Sequence, residues 1–141
     1  MNDYAPGATA YQILSTLHAV ETRLEEALEP LGLSLAKFGA LAKLVAAGEP
    51  LPLRTLAERC ACVRSNITQL VDRLEAEKLV VRSDDPRDRR SIRAELTHEG
   101  RSRHAAGLRV IEEAERALLS RLPPEQRDSF MAQLASLRCE P

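Results

Sequence analysis

Three arginines and an aspartate are crowded into one short stretch near the middle of the chain. The stretch "SDDPRDRR" places Arg87, Asp88, Arg89 and Arg90 directly after Pro86. Guanidinium groups bind phosphates and base edges, and narrow minor grooves attract arginine. Asp88 lies among these cations, where it can pair with a neighbouring guanidinium and fix its direction. The four residues after Pro86 are therefore predicted to form a cationic loop that contacts DNA.

A second group of polar side chains precedes this loop, in the stretch "VRSNITQLVDRLE". Apolar side chains recur there at spacings of three and four, the period of one buried helix face: Ile67, Leu70, Val71 and Leu74. Short hydrogen-bonding side chains occupy the other side of this helix, and they suit base edges and phosphates in a major groove. The predicted contact residues are Arg64, Ser65, Asn66, Thr68, Gln69 and Arg73.

The segments around these two groups predict the scaffold that carries them. A short helix over 53–60 leads through a turn at 61–63 into the polar helix, which ends at about 77. The residue period then changes from 3.6 to two over 79–83 and 91–97, which predicts two strands joined by the arginine loop. In the second strand Ile92, Ala94 and Leu96 are expected to face inward. Two helices joined by a tight turn and followed by a hairpin are typical of a winged helix-turn-helix.

Further helices are predicted on both sides of this unit. Their approximate ranges are 8–30, 34–48, 98–122 and 124–137, with Ser34 and Thr97 as caps and with Gly32 and Gly48 as stops. The fold class is therefore mainly α, a winged helix-turn-helix with a two-stranded β wing. We expect a single domain over 1–141, with a DNA-binding core at 34–97. The flanking helices of 1–33 and 98–141 carry leucine stripes that we assign to a dimer interface.

Composition supports a helical globular protein. Of the 141 residues, 44% are hydrophobic and 29% are charged, but only 3% are aromatic and none is tryptophan. The core must therefore be built from Leu, Val, Ile and Ala, which favours packed helices. No apolar run approaches ~18 residues and no secretory signal is evident, so neither a membrane span nor export is predicted and a cytoplasmic location is expected.

The net charge of −1 conceals an uneven distribution. Residues 1–50 hold three basic and six acidic side chains, residues 51–103 hold twelve and nine, and residues 104–141 hold five and six. The middle third, which contains both predicted contact groups, is thus the basic third. The nearly neutral total is therefore only weak evidence against a nucleic-acid partner.

The three cysteines are Cys60, Cys62 and Cys139. An odd number this small does not suggest a disulfide framework and suits a reducing compartment. Cys60 and Cys62 form C-A-C, not the C-x-x-C of redox and zinc sites, and are predicted to be core thiols. A redox role for Cys60, Cys62 or Cys139 remains an alternative. No histidine or cysteine pair has metal-ligand spacing, so neither a metal nor a cofactor is predicted.

The segment 56–101 resembles the MarR-type transcriptional regulators, most specifically in "VDRLE", "DPRDRR" and "LTHEGR". The resemblance implies a homodimer, formed largely by the first and last helices, that binds a pseudo-palindromic operator. The wing of this family carries a D-x-R element, which falls here on Asp88 and Arg90. Arg90 is thereby implied as the minor-groove finger and Asp88 as the residue that orients it. The implied recognition-helix contacts fall on Arg64, Ser65, Asn66, Thr68 and Gln69.

The sequence thus predicts a DNA-binding transcriptional regulator, and repression is the expected mode. The resemblance also implies that a ligand modulates operator affinity, for which a small aromatic or phenolic effector is expected. The alternatives are a redox-responsive regulator acting through cysteine and a winged-helix module that binds proteins and has no operator. No G-x-S-x-G, H-E-x-x-H, P-loop or dinucleotide fingerprint is present, so the chain is not expected to be an enzyme.

Overall fold

The computed structural model describes residues 5–61 and 64–138, although it leaves the side chains of Arg64 and Ser65 undescribed. The helices in this part of the chain are α1 (Ala8–Leu28), α2 (Leu35–Ala47), α3 (Leu53–Arg59), α4 (Arg64–Ala76), α5 (His98–Leu119) and α6 (Arg127–Ser136). Short 3-10 turns precede two of them, at Glu29–Leu31 and Pro124–Gln126. The strands are β1 (Leu51–Pro52), β2 (Val80–Asp85) and β3 (Asp88–Leu96), and they form an antiparallel sheet in the order β1-β3-β2.

The predicted helix caps are confirmed. The Ser34 hydroxyl accepts the backbone N–H of Lys37 at 3.2 Å at the start of α2. The Thr97 hydroxyl accepts the N–H of Gly100 at 2.9 Å at the start of α5. Gly48 ends α2 with a φ of 68°, in the left-handed region where a residue without a Cβ is least strained. Local sequence signals therefore define these boundaries.

Several helices are shorter than expected. The first helix was predicted over 8–30, but α1 ends at Leu28 and Pro30 lies in the 3-10 turn that follows. Proline lacks a backbone N–H and its ring clashes with the carbonyl four residues earlier, so it cannot extend an α-helix. At the other end of the chain α5 stops at Leu119, and Pro124 opens a 3-10 turn, so that α6 begins only at Arg127.

One core joins the winged-helix elements. Its largest fully buried side chains are Leu28, Leu41, Leu44, Leu56, Ile67, Val71, Leu74, Leu79 and Val80. In α4 the predicted stripe is confirmed, because three of its four members are fully buried and Leu70 packs partly buried against them. Each buried leucine contributes ~1.5–3 kcal/mol relative to exposure, so this core fixes how α2, α3, α4 and the sheet sit together.

The predicted hairpin is present, but it belongs to a larger sheet than expected. The short strand β1 pairs with β3, Leu51 opposite Ala94 and Pro52 opposite Arg93, which makes three strands instead of two. A strand of two residues is too short to show alternation, so no pattern in the sequence distinguishes it. The wing is defined here as β2, β3 and the turn at Pro86 and Arg87.

The turn of the wing is tighter than predicted. Arg89 and Arg90 were expected in the loop, but β3 begins at Asp88, so both lie in the strand. Two aspartate carboxylates stabilise this closure, since Asp85 Oδ1 accepts the N–H of Arg87 and Asp88 Oδ1 accepts the N–H of Arg90, each at 3.0 Å. Aspartate commonly makes such bonds to its own backbone two residues on, which pulls a turn closed.

The alternation predicted for β3 holds at its base and fails near the tip. Ala94 is fully buried and Leu96 is partly buried, whereas Ile92 is 39% exposed. Ile92 pairs with Asp84, close to the turn, where the hairpin has passed beyond the core. The inward assignment of Ile92 was therefore wrong, although its position in the strand period was right.

Within the described residues, no single helix is long and apolar enough to cross a membrane. The pair Ala8–Leu31 and Leu35–Ala47 meets the length and composition requirement only when taken together, across a bend of 76°.

The base of the wing and the start of α5 are in close contact. The Thr97 hydroxyl donates to the Lys78 carbonyl at 2.7 Å, and the Thr97 N–H donates to the Leu79 carbonyl at 3.1 Å. Gly100 lies directly against this junction, because a Cβ at that position would come within 2.0 Å of the Leu79 carbonyl oxygen. Only a residue without a side chain allows α5 to approach this closely.

We expect Gly100→Ala to destabilise the fold by ~3 kcal/mol, because backbone would have to move to admit the methyl group. Chemical denaturation monitored by circular dichroism measures this free energy of unfolding. Gly39→Ala in α2 is the matched control: no atom lies within 4 Å of its added Cβ, so alanine should stabilise by ~0.5–1 kcal/mol. Equal effects of the two substitutions would contradict the packing described at Gly100.

A stacked ring pair joins α2 and α5. The rings of Phe38 and His104 lie with their centroids 5.3 Å apart and their planes 9° from parallel. Burial in this contact lowers the pKa of His104 below its ordinary value of 6.5. Desolvation disfavours the charged imidazolium, so the folded protein holds His104 neutral at neutral pH.

The sign of the resulting pH dependence follows from linkage. Because the folded pKa is depressed, the contribution of neutral His104 is complete above pH 6.5 and is lost as the pH falls through the folded value. We expect His104→Phe, which keeps a ring and removes the titration, to flatten the loss of unfolding free energy between pH 7 and 5. Urea denaturation across this range tests it, and a wild-type slope in His104→Phe would contradict the effect of burial on His104.

Candidate nucleic-acid interface

The outward edge of α4 presents neutral hydrogen-bonding groups. Asn66, Thr68 and Gln69 are exposed, while Ile67 and Val71 anchor the opposite side of the helix in the core. Arg73 is exposed in the last turn. Amide and hydroxyl side chains at this spacing are uncharged, so they can form hydrogen bonds with base edges as well as with phosphates.

Two further predicted contact residues, Arg64 and Ser65, belong to the first turn of α4. Their side chains lie outside the described part of the structure. Their assignment to DNA contact remains a prediction from the sequence.

The wing exposes all four residues predicted for it: Arg87, Asp88, Arg89 and Arg90. The regular pairing of the hairpin ends at Asp84 and Ile92, and a register shift follows before Asp85 pairs with Asp88. Arg89 and Arg90 therefore lie in an irregular part of β3. Nearer the base of the wing, Arg82 is paired with Ala94 and contacts α4.

The role predicted for Asp88 has to be corrected. We expected it to form an ion pair with a neighbouring guanidinium, but among the described residues no salt bridge involves Asp88. Its carboxylate instead accepts the backbone N–H of Arg90 at 3.0 Å. Asp88 thus fixes the backbone that carries Arg90, and the Arg90 side chain is left available.

Arg82 is the residue of this region that the sequence analysis missed. Its guanidinium forms salt bridges with Asp72 and with Glu75, the latter at 2.8 Å, and it also donates to the Thr68 carbonyl at 3.4 Å. Its backbone N–H donates to the second oxygen of Glu75 at 3.0 Å. We call this set of contacts between β2 and α4, made by Arg82, Asp72, Glu75 and Thr68, the wing clamp.

A signal for the wing clamp is present in the sequence. Arg82 follows buried Val80 by two residues, which places it on the inward face of β2. A charged side chain at an inward position requires an opposite charge nearby, and α4 carries Asp72 and Glu75 three residues apart. Partial burial opposes the charge on Arg82, but the hydrogen bonds and charges of Asp72 and Glu75 together outweigh it and raise its pKa above the usual value.

The predicted cysteine and metal assignments have different outcomes. Cys60 is half-buried and packs against the core, close to the buried thiol expected. Cys62 and Cys139 lie outside the described residues. Over 5–61 and 64–138 no three His, Cys, Asp or Glu side chains are grouped so that they could hold a metal ion.

Comparison with known proteins gives a consistent answer. A family model described as MarR family matches residues 31–91, from the first 3-10 turn to the start of β3. The chain is 33% identical over 100 residues to the uncharacterized HTH-type transcriptional regulator YkoM of Bacillus subtilis, covering 71% of this chain and 60% of that one. It is 35% identical over 81 residues to the transcriptional repressor MdtR of the same organism, covering 57% and 52%. The segment 31–91 thus matches the MarR family, and both relatives are HTH-type transcriptional regulators.

Solved structures of MarR-type regulators share the fold. The transcriptional repressor CouR bound to a 23-mer DNA duplex matches with a TM-score of 0.84 and 28% identity, covering 91% of this chain and 90% of that one. YusO from Bacillus subtilis matches with a TM-score of 0.74 and 27% identity, covering 97% and 99%. The predicted fold class is confirmed. The chain spans 47–60% of the length of the curated relatives that it matches in sequence.

The combined likeness supports a MarR-type transcriptional regulator with a winged helix-turn-helix. It agrees with the prediction that the chain is not an enzyme, since the family and these relatives are regulators. In the terms of the family, α4 is the recognition helix and the β2–β3 hairpin is the wing.

Proposed function

We propose that this protein is a MarR-type transcriptional repressor that binds a pseudo-palindromic DNA operator as a homodimer. The observation that carries the proposal is the wing clamp, which joins the polar recognition helix to the arginine-bearing wing. One rigid unit thereby offers neutral hydrogen-bonding groups for a major groove and guanidinium groups for the minor groove beside it. CouR, which shares 28% identity, is a repressor whose structure was solved on a DNA duplex.

Each predicted site residue has a role in this complex. The recognition helix contributes Arg64, Ser65, Asn66, Thr68 and Gln69 to base edges and phosphates, and Arg73 to a phosphate. Arg90 enters the minor groove, as the D-x-R resemblance implies, while Arg87 and Arg89 bind the flanking phosphates. Asp88 stays with the backbone of the wing, because a free carboxylate at that point would repel DNA.

The homodimer is supported by apolar side chains that the single chain leaves exposed. They lie on α1 and at the C-terminal end, and they are Tyr11, Leu14, Leu17, Phe130, Met131, Leu134 and Leu137. Leu14 and Leu17 are 60% and 51% exposed. Apolar side chains left exposed in such numbers are typical of an interaction surface. A second copy that covers it sets the separation of the two recognition helices, which has to be about one turn of DNA, ~34 Å.

We expect Leu17→Glu to convert the dimer to monomer, measured by analytical ultracentrifugation. A dimer buries this position twice at ~1.5–3 kcal/mol each, so the dimer Kd should rise by about a hundredfold or more. Val81→Glu is the matched control, since Val81 is 46% exposed but lies on the wing, and it should leave the dimer intact. A dimeric Leu17→Glu variant would exclude α1 from the interface.

A cavity between α1 and α2 is the candidate place for the effector that the family resemblance implies. Its volume is about 650 Å³, and its lining combines apolar side chains of α2 with four carboxylates of α1 and its 3-10 extension: Glu21, Glu25, Glu26 and Glu29. Such a lining repels carboxylate ligands. Within the small aromatic or phenolic class, we therefore infer an uncharged or cationic effector.

We expect Arg90→Ala to weaken DNA binding by ~1–3 kcal/mol, the scale of one specific groove contact. The probe is a duplex that the wild-type protein enriches from a random-sequence library, and fluorescence anisotropy measures the affinity. Arg121→Ala is the control, because Arg121 is an exposed arginine beyond α5 and outside the winged-helix segment. Unchanged affinity for Arg90→Ala would place the finger elsewhere.

Salt dependence of the same binding reaction separates an operator-binding protein from a winged-helix module that binds only proteins. Neutralising several phosphates releases counterions, so the wild-type affinity should fall steeply as salt is raised. A protein-binding module would enrich no duplex from the library and would show no such slope.

A further inference from the structure

We propose that Arg82 is a positioning residue for DNA binding: it holds the wing at the angle at which the recognition helix and the wing arginines reach one half-site together. This inference rests on the proposed DNA-binding function and adds a residue that itself touches no DNA. Its basis is the wing clamp, whose contacts all run between β2 and the recognition helix.

The geometry of the wing clamp suits a fixed angle. Thr68, Asp72 and Glu75 are spaced by four and three residues, so they form one stripe along α4, and a single guanidinium reaches all three. The planar fork of arginine can bond to two carboxylates at once in fixed directions. The backbone N–H of Arg82 bonds to Glu75 as well, so side chain and main chain are held at the same point.

Arg82 lies near the base of the wing, where a small rotation produces a large displacement of the turn. From Val80 at the base to Pro86 in the turn the hairpin extends by ~20 Å, at ~3.3 Å per residue. A rotation of ~10° about the base would therefore move the turn by ~3.5 Å, which exceeds the length of a hydrogen bond. A small change in wing angle is enough to remove the wing arginines from a groove while the recognition helix stays in place.

The wing clamp is better suited to positioning than to stability. The Arg82 side chain is 25% exposed and both carboxylates are more exposed still, and ion pairs at the surface add little to the free energy of unfolding. Ala94, the cross-strand partner of Arg82, is fully buried together with Leu79 and Val80, so the core already secures the base of the wing. Arg82 therefore fixes the direction in which the hairpin projects beyond that core.

Chemical footprinting on the library-enriched duplex tests this inference, with hydroxyl radicals reporting the minor groove and dimethyl sulfate reporting guanine N7 in the major groove. We expect Arg82→Gln to keep the major-groove protection of the half-sites and to lose the minor-groove protection beside them, with about a tenfold loss of affinity. Arg82→Lys should restore only part of it, because one ammonium cannot engage two carboxylates in fixed directions. Minor-groove protection retained in Arg82→Gln overturns the inference.

Arg103→Gln is the matched control. Arg103 is also a half-buried arginine, 28% exposed, but it bonds to the Leu31 carbonyl and Glu99, on α5. It should leave both footprints unchanged, even if it lowers the melting temperature. An identical footprint change in Arg103→Gln would show a general loss of structure and would also overturn the inference.

The double variant Asp72→Asn/Glu75→Gln separates positioning from charge and serves if Arg82→Gln does not fold. It removes the same salt bridges from the recognition helix while making the DNA-facing side less negative. Positioning predicts loss of minor-groove protection despite the more favourable charge. Tighter binding with that protection retained would show that Arg82 acts only by neutralising two carboxylates.

A double-mutant cycle with Arg90→Ala completes the test. If Arg82 positions the finger, Arg90→Ala should weaken binding less than twofold once Arg82→Gln is present, well below its effect in the wild type. Additive losses contradict the inference. If Arg90→Ala has no effect even in the wild type, the finger assigned in the proposed function is wrong, and the footprint of Arg82→Gln still decides the role of Arg82.

Discussion

A two-stranded hairpin has little stability of its own in water, so the direction of the wing depends on what the hairpin is fastened to. Besides the pairing of β3 with β1, two attachments join it to neighbouring helices. At its base Thr97 bonds to the carbonyls of Lys78 and Leu79, and Gly100 lets α5 pack directly onto the same carbonyl. Along its edge Arg82 bonds to the recognition helix. The first attachment connects the wing to α5 and the second connects it to α4, so the wing follows both.

The distribution of charge follows from the same arrangement. A recognition helix that carries Asp72 and Glu75 would repel DNA if both carboxylates faced it unpaired, yet both are occupied by Arg82. The exposed edge that remains carries neutral groups and Arg73, with further arginines on the wing. A chain of net charge −1 can therefore present a surface suited to a polyanion, because the two carboxylates of α4 are paired and the segment 51–103 is basic overall.

The sequence predicted most of the fold because the decisive signals are local. Ser34 and Thr97 cap helices by bonding three residues ahead, and the buried stripe of α4 repeats within one helix. The predictions were wrong where contacts between residues distant in the sequence determine the local structure. Strand β1 forms because β3 lies beside it. The two strands of the hairpin extend beyond the residues whose apolar alternation predicts them, because the carboxylates of Asp85 and Asp88 stabilise a tight turn.

The candidate site shows the same division. The polar edge of α4 and the arginines of the wing were found from residue type and spacing, whereas the wing clamp was not, because its partners lie on different elements. The sequence predicts an ion pair between the Asp88 carboxylate and a guanidinium. In the structure this carboxylate instead accepts the backbone N–H of Arg90, two residues further along its own turn. Pairings across elements require a register, and periodicity alone does not supply one.

Packed contacts connect α5 to the recognition helix. Arg103 of α5 bonds to the Leu31 carbonyl at 2.8 Å, and Gly107 leaves no room for a Cβ against Phe38 and Leu33. Phe38 in turn stacks on His104, so α5 and α2 share a tight interface, and α2 shares the core of α4. Closely packed elements move together as rigid bodies and do not deform gradually. In the proposed homodimer, a change in the spacing of the two α5 helices would therefore move each recognition helix together with its wing. It would alter the distance between the two DNA-reading surfaces without altering either surface.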